Sequence, residues 1–242
     1  MSDSEKRIKP KAGAGDVAHT VVKAGLSTIP VIGGLAAEIF SAIIVPPLSK
    51  RRDEWIESIA KDLKALEEKD DNFSIEALCQ NEMFITTVMH ASQAAIRNHQ
   101  KEKLEALRSA VLNAALPNAP EEDIQLMFLN FVDTLTPWHL RILKFFDNPQ
   151  EWGRRNSVTY PNWSMGGPST VLEHTFPELR ERRDFYDQIV KDLFVRGLMN
   201  IESLHVTMTS QGMFASRTTD MGKQFINFIK SPIESDDENQ QG

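Results

Sequence analysis

The chain has 242 residues, 41% hydrophobic and 25% charged, the make-up of a globular protein with enough length for one large core or two small ones. Its single cysteine, Cys79, excludes an internal disulfide and a thiolate zinc centre and fits a reducing, cytoplasmic setting. The net charge of −7 is uneven: residues 1–49 sum to +1, 50–135 to −6, 136–230 to +2 and 231–242 to −4. A surplus of two positive charges over residues 136–230 is a weak footprint for a protein that must neutralise phosphates.

Residues 1–16 are polar and basic and end in Ala12-Gly13-Ala14-Gly15; we expect a disordered leader without a secretion signal. Residues 17–48 read as an apolar helical hairpin interrupted at Pro30 and Gly33-Gly34. Leu35, Ile39 and Ile43 recur at four-residue spacing beside Phe40 and Ile44, until Pro46-Pro47 stops the run. Residues 49–135 predict a helical bundle. Trp55, Ile59, Leu63 and Leu66 stripe its first helix, and further runs cover 74–99, 102–116 and 121–135. Cys79 falls in the second run and is expected to be a small buried residue.

From residue 136 the pattern changes. Thr136 followed by Pro137 starts a helix bearing Trp138, Leu140, Ile142, Leu143 and Phe146. A loop rich in Asn, Gly and Pro is expected from Asp147 to Pro168. A short helix follows to Phe176, then a longer one from Arg180 to Val195 with Phe185, Ile189 and Leu193 inward. Leu204, Val206 and Met208 alternate with polar residues, which predicts a strand. A turn over 209–212 and a return through Phe214, Ser216 and Thr218 complete a hairpin. Thr219 caps a last helix, and residues 231–242 read as an acidic disordered tail. The expected class is therefore mainly α: an N-terminal helical bundle, then a module with a small two- or three-stranded antiparallel hairpin.

The order helix, short helix, longer helix and hairpin resembles the winged-helix fold over residues 136–230. Val195-Arg196-Gly197-Leu198-Met199 looks like the end of its recognition helix, and Thr218 to Phe225 looks like the exit from its wing. Separately, Met127 to Val132 together with Leu135 to Lys144 resembles the bacterial abortive-infection alpha family, which implies a phage-defence setting and brings no catalytic residues.

The candidate chemistry is sparse. The six histidines lie far apart, with no spacing that would ligate a metal, and each reads most simply as a surface or packed residue. Gly166-Gly167-Pro168-Ser169-Thr170 lacks the lysine of a phosphate loop, and its proline removes an amide donor, so it reads as a turn. We expect no catalytic, metal or cofactor site. The expected protein is a non-enzymatic interaction or scaffold protein, acting on a protein partner or on a second copy of itself. Trp152, Tyr160 and Trp163 are its candidate partner contacts, unless they merely pin their loop to the core.

One alternative is a DNA-binding regulator that uses Arg182, Arg183, Lys191 and Arg217. Against it, Glu181, Asp184, Asp187 and Asp192 share the same helix region. Another is a membrane-active effector with peripheral contact through residues 26–48, whose apolar core includes Leu35, Ile39, Phe40, Ile43 and Ile44. Residues 31–45 make roughly 22 Å of helix against a hydrocarbon core of about 30 Å, too short for a span, and Glu38 interrupts them. The same segment reads more simply as a buried hairpin packed by its small residues against the helices of 49–135, whose amphipathic surface needs cover.

Overall fold

A computed structural model describes residues 46–233; the expected leader, the apolar segment with Leu35, Ile39, Phe40, Ile43 and Ile44, and the tail from residue 234 lie outside them. The chain divides into two compact units, Met1–Ile56 and Glu57–Gly242, with the boundary inside the first described helix. That helix, α1, spans Pro46–Lys69 and buries Ile59, Leu63 and Leu66, the expected stripe.

Within the second unit come α2 (Ile75–Leu78), α3 (Glu82–Arg97), α4 (Lys101–Ala114) and α5 (Glu122–Thr134). The run expected over 74–99 is therefore two helices. The first ends at Leu78 with Cys79 as its C-cap, and the Asn81 side chain accepts the Phe84 N–H to start the second. This places Cys79 in the short connection rather than on a helix face, so it is exposed, contrary to expectation. Ile85 and Met89 likewise face outward, while Phe84, Ala91, Ala94 and Ala95 are buried. The alanines let helices approach closely, and α3, α4 and α5 pack on one another. Between them Gln125 is fully buried: its Nε2 donates to the Pro120 carbonyl at 2.8 Å and its Oε1 accepts from Thr87 at 3.1 Å.

The following elements are α6 (Pro137–Asp147), α7 (Pro149–Arg155), β1 (Met165–Gly166), α8 (Pro168–Thr175), a 3₁₀ turn (Pro177–Leu179), α9 (Arg183–Val195), β2 (Met208–Thr209), α10 (Ser210–Met213) and α11 (Asp220–Phe228). Helix α6 is the centre of this half, with Leu140, Ile142, Leu143, Phe145 and Phe146 buried and contacts to α7, α9 and α11. Helix α11 also reaches α4. The Phe128 ring of α5 stands 5.3 Å from Phe225 and 5.6 Å from Phe228, so the bundle and the following helices share one aromatic core.

Among the described residues the fold is mainly helical with one small two-stranded antiparallel sheet, as expected, but its strands are placed differently. β2 pairs with β1, in the register Met165↔Thr209 and Gly166↔Met208. The expected turn over 209–212 is instead one turn of helix, because the Thr209 hydroxyl accepts the Gly212 N–H and caps α10. Leu204 is buried while Val206 is 53% exposed, so the alternating stretch does not cover a single face. The return segment pairs only at its end, through an isolated bridge between Thr218 and Met199.

Two other boundaries moved. The loop expected over 147–168 contains α7, started by Asn148, whose side chain accepts the Glu151 N–H, with Pro149 at the first helical position. Helix α9 begins at Arg183 rather than Arg180, because Glu181 takes a left-handed conformation at φ +64°. Its inward residues are Tyr186, Ile189, Val190 and Leu193, with Phe185 only half-buried.

Candidate functional site

Two cavities meet along the surface between α4 and α6. The first, of about 310 Å³, is lined by Gln100, Glu102, Thr136, Pro137, Trp138, Arg141 and Phe185. The second, of about 300 Å³, is bounded by Glu105, Arg108 and Ser109 of α4, Arg141 and Lys144 of α6, and Lys230 beyond α11. Glu102 and Arg141 belong to both walls, so the two form one groove with an aromatic notch at one end and a charged trough at the other.

The notch is built by helix periodicity. Trp138 lies in the first turn of α6 and sets its ring edge-on against Phe176, at 5.6 Å between centroids. Arg141, one turn later, places its guanidinium 5.3 Å from the Trp138 ring centroid and pairs with Glu102. Across the notch the Phe185 ring is covered by the Arg182 guanidinium at 4.1 Å. Glu102 is held below the usual carboxylate range by its backbone hydrogen bond and by Arg141, which keeps the bridging pair charged. In the trough, Arg108 is gripped by both oxygens of the buried Asp62, with Nη2 donating to Oδ1 at 2.7 Å.

The start of α6 carries a second polar arrangement. His139 is buried, and its Nδ1 accepts the Thr136 backbone N–H at 3.2 Å, closing a capping box in which histidine takes the place usually held by glutamate. Its Nε2 points at Asp192 of α9, 3.5 Å away. Burial pushes the imidazole below its ordinary value, with Asp192 opposing only in part. Because the folded value lies below the unfolded one of about 6.5, the unfolded chain binds more protons as pH falls through that region. The contribution of His139 is thus complete above about pH 6.5 and lost below it. We expect the urea midpoint to drop between about pH 7.5 and about pH 5.5. His139→Asn, whose side chain can cap without titrating, should flatten that slope; an unchanged slope would remove His139 as its source.

The residues singled out from the sequence are placed as follows. Trp152 is half-buried against Phe145 and Phe176, at 6.3 and 5.8 Å. Tyr160 packs its ring on Gly153 and shares a 3.0 Å hydrogen bond with the Thr175 hydroxyl; burial raises its phenol. Trp163 stacks on Phe214 at 6.3 Å and meets His174 edge-on. All three rings are therefore engaged with their own domain. Of the candidate DNA contacts, Arg182 lies on Phe185, and Arg183 pairs with Asp187. Arg217 turns inward to donate to the Gly212 carbonyl, with its Nε buried and unpartnered, and burial lowers its guanidinium. Lys191 is exposed.

Two further pairs were not read from the sequence. His205 Nε2 meets Asp187 at 2.7 Å, and the Tyr186 hydroxyl donates to Glu173 at 2.6 Å, which together with burial raises the phenol. Each joins residues from different elements, and no local spacing announces such a pair. Among the described residues no group of three or more His, Cys, Asp or Glu side chains could hold a metal ion, and no helix is long and apolar enough to cross a membrane. Compared with family models, with curated proteins and with solved structures, the chain has no match in any of the three.

Proposed function

We propose that the protein is a non-enzymatic interaction module that holds a protein partner in the groove between α4 and α6. The observation that carries this reading is the aromatic notch: a tryptophan and a phenylalanine, each with an arginine stacked on it, line an open cleft. Trp and Arg are the residue types that dominate binding energy at protein interfaces, and the notch is large enough to desolvate one inserted side chain. Trp152, Tyr160 and Trp163 are each half-buried against neighbouring rings, and we place the contact region at Trp138 and Phe185 instead.

The setting we infer is cytoplasmic and, through the resemblance to the abortive-infection alpha family, one of phage defence or stress. The winged-helix reading of residues 136–230 is supported by the order of elements, by a strand preceding α8, and by the Met199–Thr218 bridge after α9. Its use on duplex DNA finds less support, since Arg217 faces inward and Arg183 is paired with a carboxylate. Tagged wild-type and Trp138→Ala proteins, brought to equal soluble yield, would test the proposal by capture from extracts of the encoding cells. We expect a defined protein that the wild type retains and the variant loses by about tenfold or more. Equal retention by both, or none by either, would overturn it.

A further inference from the structure

Resting on that reading, we infer that the partner presents an uncharged, proline-rich segment in the polyproline II conformation. A prolyl ring enters the notch, and the main-chain carbonyls beside it meet the donors there. Pro137, Trp138 and Phe185 supply the apolar lining of this cavity of about 310 Å³. The Arg141 guanidinium lies 5.3 Å from the Trp138 ring centroid and that of Arg182 lies 4.1 Å from Phe185, so both rings are held in place while still lining the cavity. A prolyl ring buries apolar area against such rings and has no side-chain rotamers to freeze.

The electrostatics of the notch call for an uncharged ligand. Glu102 and Arg141 are the charged side chains of its lining, and they are paired with each other. A carboxylate, an ammonium or a phosphate brought here would lose its water beside a pair that is already neutral. An uncharged segment is therefore the electrostatic complement.

Two polar groups of the lining are open. Among the described residues neither the Trp138 indole N–H nor the Gln100 side-chain amide makes a hydrogen bond, although both residues are half-buried in the notch. Gln100 stands at the N-cap of α4, yet its side chain caps nothing. An indole can only donate, so it needs an acceptor from the ligand. A helical partner bonds its carbonyls internally and offers few, whereas polyproline II has no internal hydrogen bonds and leaves every carbonyl free. A nucleic-acid strand presents a phosphate at every nucleotide, and the notch lining holds no unpaired cation to receive one.

The test uses the full chain and short fluorescein-labelled peptides followed by anisotropy. The probe is uncharged and has proline at every third position, which matches the three-residue turn of polyproline II; the control has alanine at those places. We expect the probe to bind about tenfold or more tightly than the control. Raising the salt from about 50 mM to about 500 mM should change its affinity less than about twofold, because no open charge takes part. Trp138→Phe keeps a ring but removes the indole N–H, and should weaken the probe about three- to tenfold, with Trp138→Ala weakening it further. Gln100→Leu should weaken it about threefold or more. Matching melting curves for Trp138→Phe and Gln100→Leu keep the result free of folding effects.

Equal or tighter binding of the alanine control, or a probe affinity that falls about tenfold or more across that salt range, would overturn the proposal. So would probe binding that neither Trp138→Phe nor Gln100→Leu weakens, or tighter binding of an oligothymidine strand. Self-association that Trp138→Ala abolishes and the probe fails to displace would give the notch to a second copy of the chain, and the proline-rich partner would fall. Capture of a cellular partner lost with Trp138→Ala, without any binding of the proline probe, would sink this inference alone and leave the interaction reading standing.

Discussion

Replacing Phe128 by alanine should lower the unfolding free energy by about 3–5 kcal/mol, the range for removing a large aromatic side chain from a closed core. The ring is completely buried, and it meets Phe131, Phe225 and Phe228 within 6.2 Å between centroids. Its loss would empty the point where α5 meets α11, so the cost includes the cavity as well as the lost transfer of apolar area from water. Urea unfolding followed by far-ultraviolet circular dichroism would measure it, and Phe128→Leu should recover part of the loss. A shift in midpoint worth less than about 1 kcal/mol would mean that α5 and α11 are held together by something other than this cluster.

Gly222→Ala is expected to be comparably damaging, for a different reason. Gly222 lies in the first turn of α11, where its N–H donates to the Thr219 hydroxyl at 2.9 Å. A Cβ at this position would press into the carbonyl oxygen of Leu198, and that oxygen already accepts the Thr219 N–H at 3.1 Å. Backbone cannot turn aside as a side chain can, so either the helix start or the bridge at Met199 must shift. We expect a loss of at least about 2–3 kcal/mol, as for overpacked cores. Gly197→Ala makes an informative comparison. It adds no contact but sits at φ +71°, so its cost should be limited to backbone strain of about 1 kcal/mol. Equal melting temperatures for wild type and Gly222→Ala would show that the α11 entry is free to relax.

The helices were legible in the sequence because their signals are local. Thr136-Pro137 marked the start of α6 and Thr219 the start of α11, each within a few residues of the apolar stripe it introduces. Asn148-Pro149 with Glu151 carried the same type of signal for α7, yet Gly and Asn around it read as loop. The strands were not legible, since β1 and β2 are two residues each and meet only after α8 and α9 have been placed between them. Alternation over 204–208 was a misleading cue: the fold buries Leu204 but turns the chain before Val206 can follow it inward. Ile189 and Leu193 face inward as the pattern implied, whereas Phe185 is half-buried under the Arg182 guanidinium and its neighbour Tyr186 fills the core position. The groove was hidden for a related reason. Trp138 and Phe185 are far apart in the chain, and each alone looks like an ordinary core aromatic.

Asn148 both ends α6 and starts α7, and Leu135 and Thr136 are all that separate α5 from α6. The groove wall is thus clamped at both ends by its neighbours and backed by six buried side chains from His139 to Phe146. Conformational entropy that a loop-borne site would lose on each encounter has already been lost when this helix folds. Under the proposed interaction, the ordering cost of binding would fall on the partner alone, so the partner's own stiffness, more than any adjustment of this surface, would set how tightly it is held.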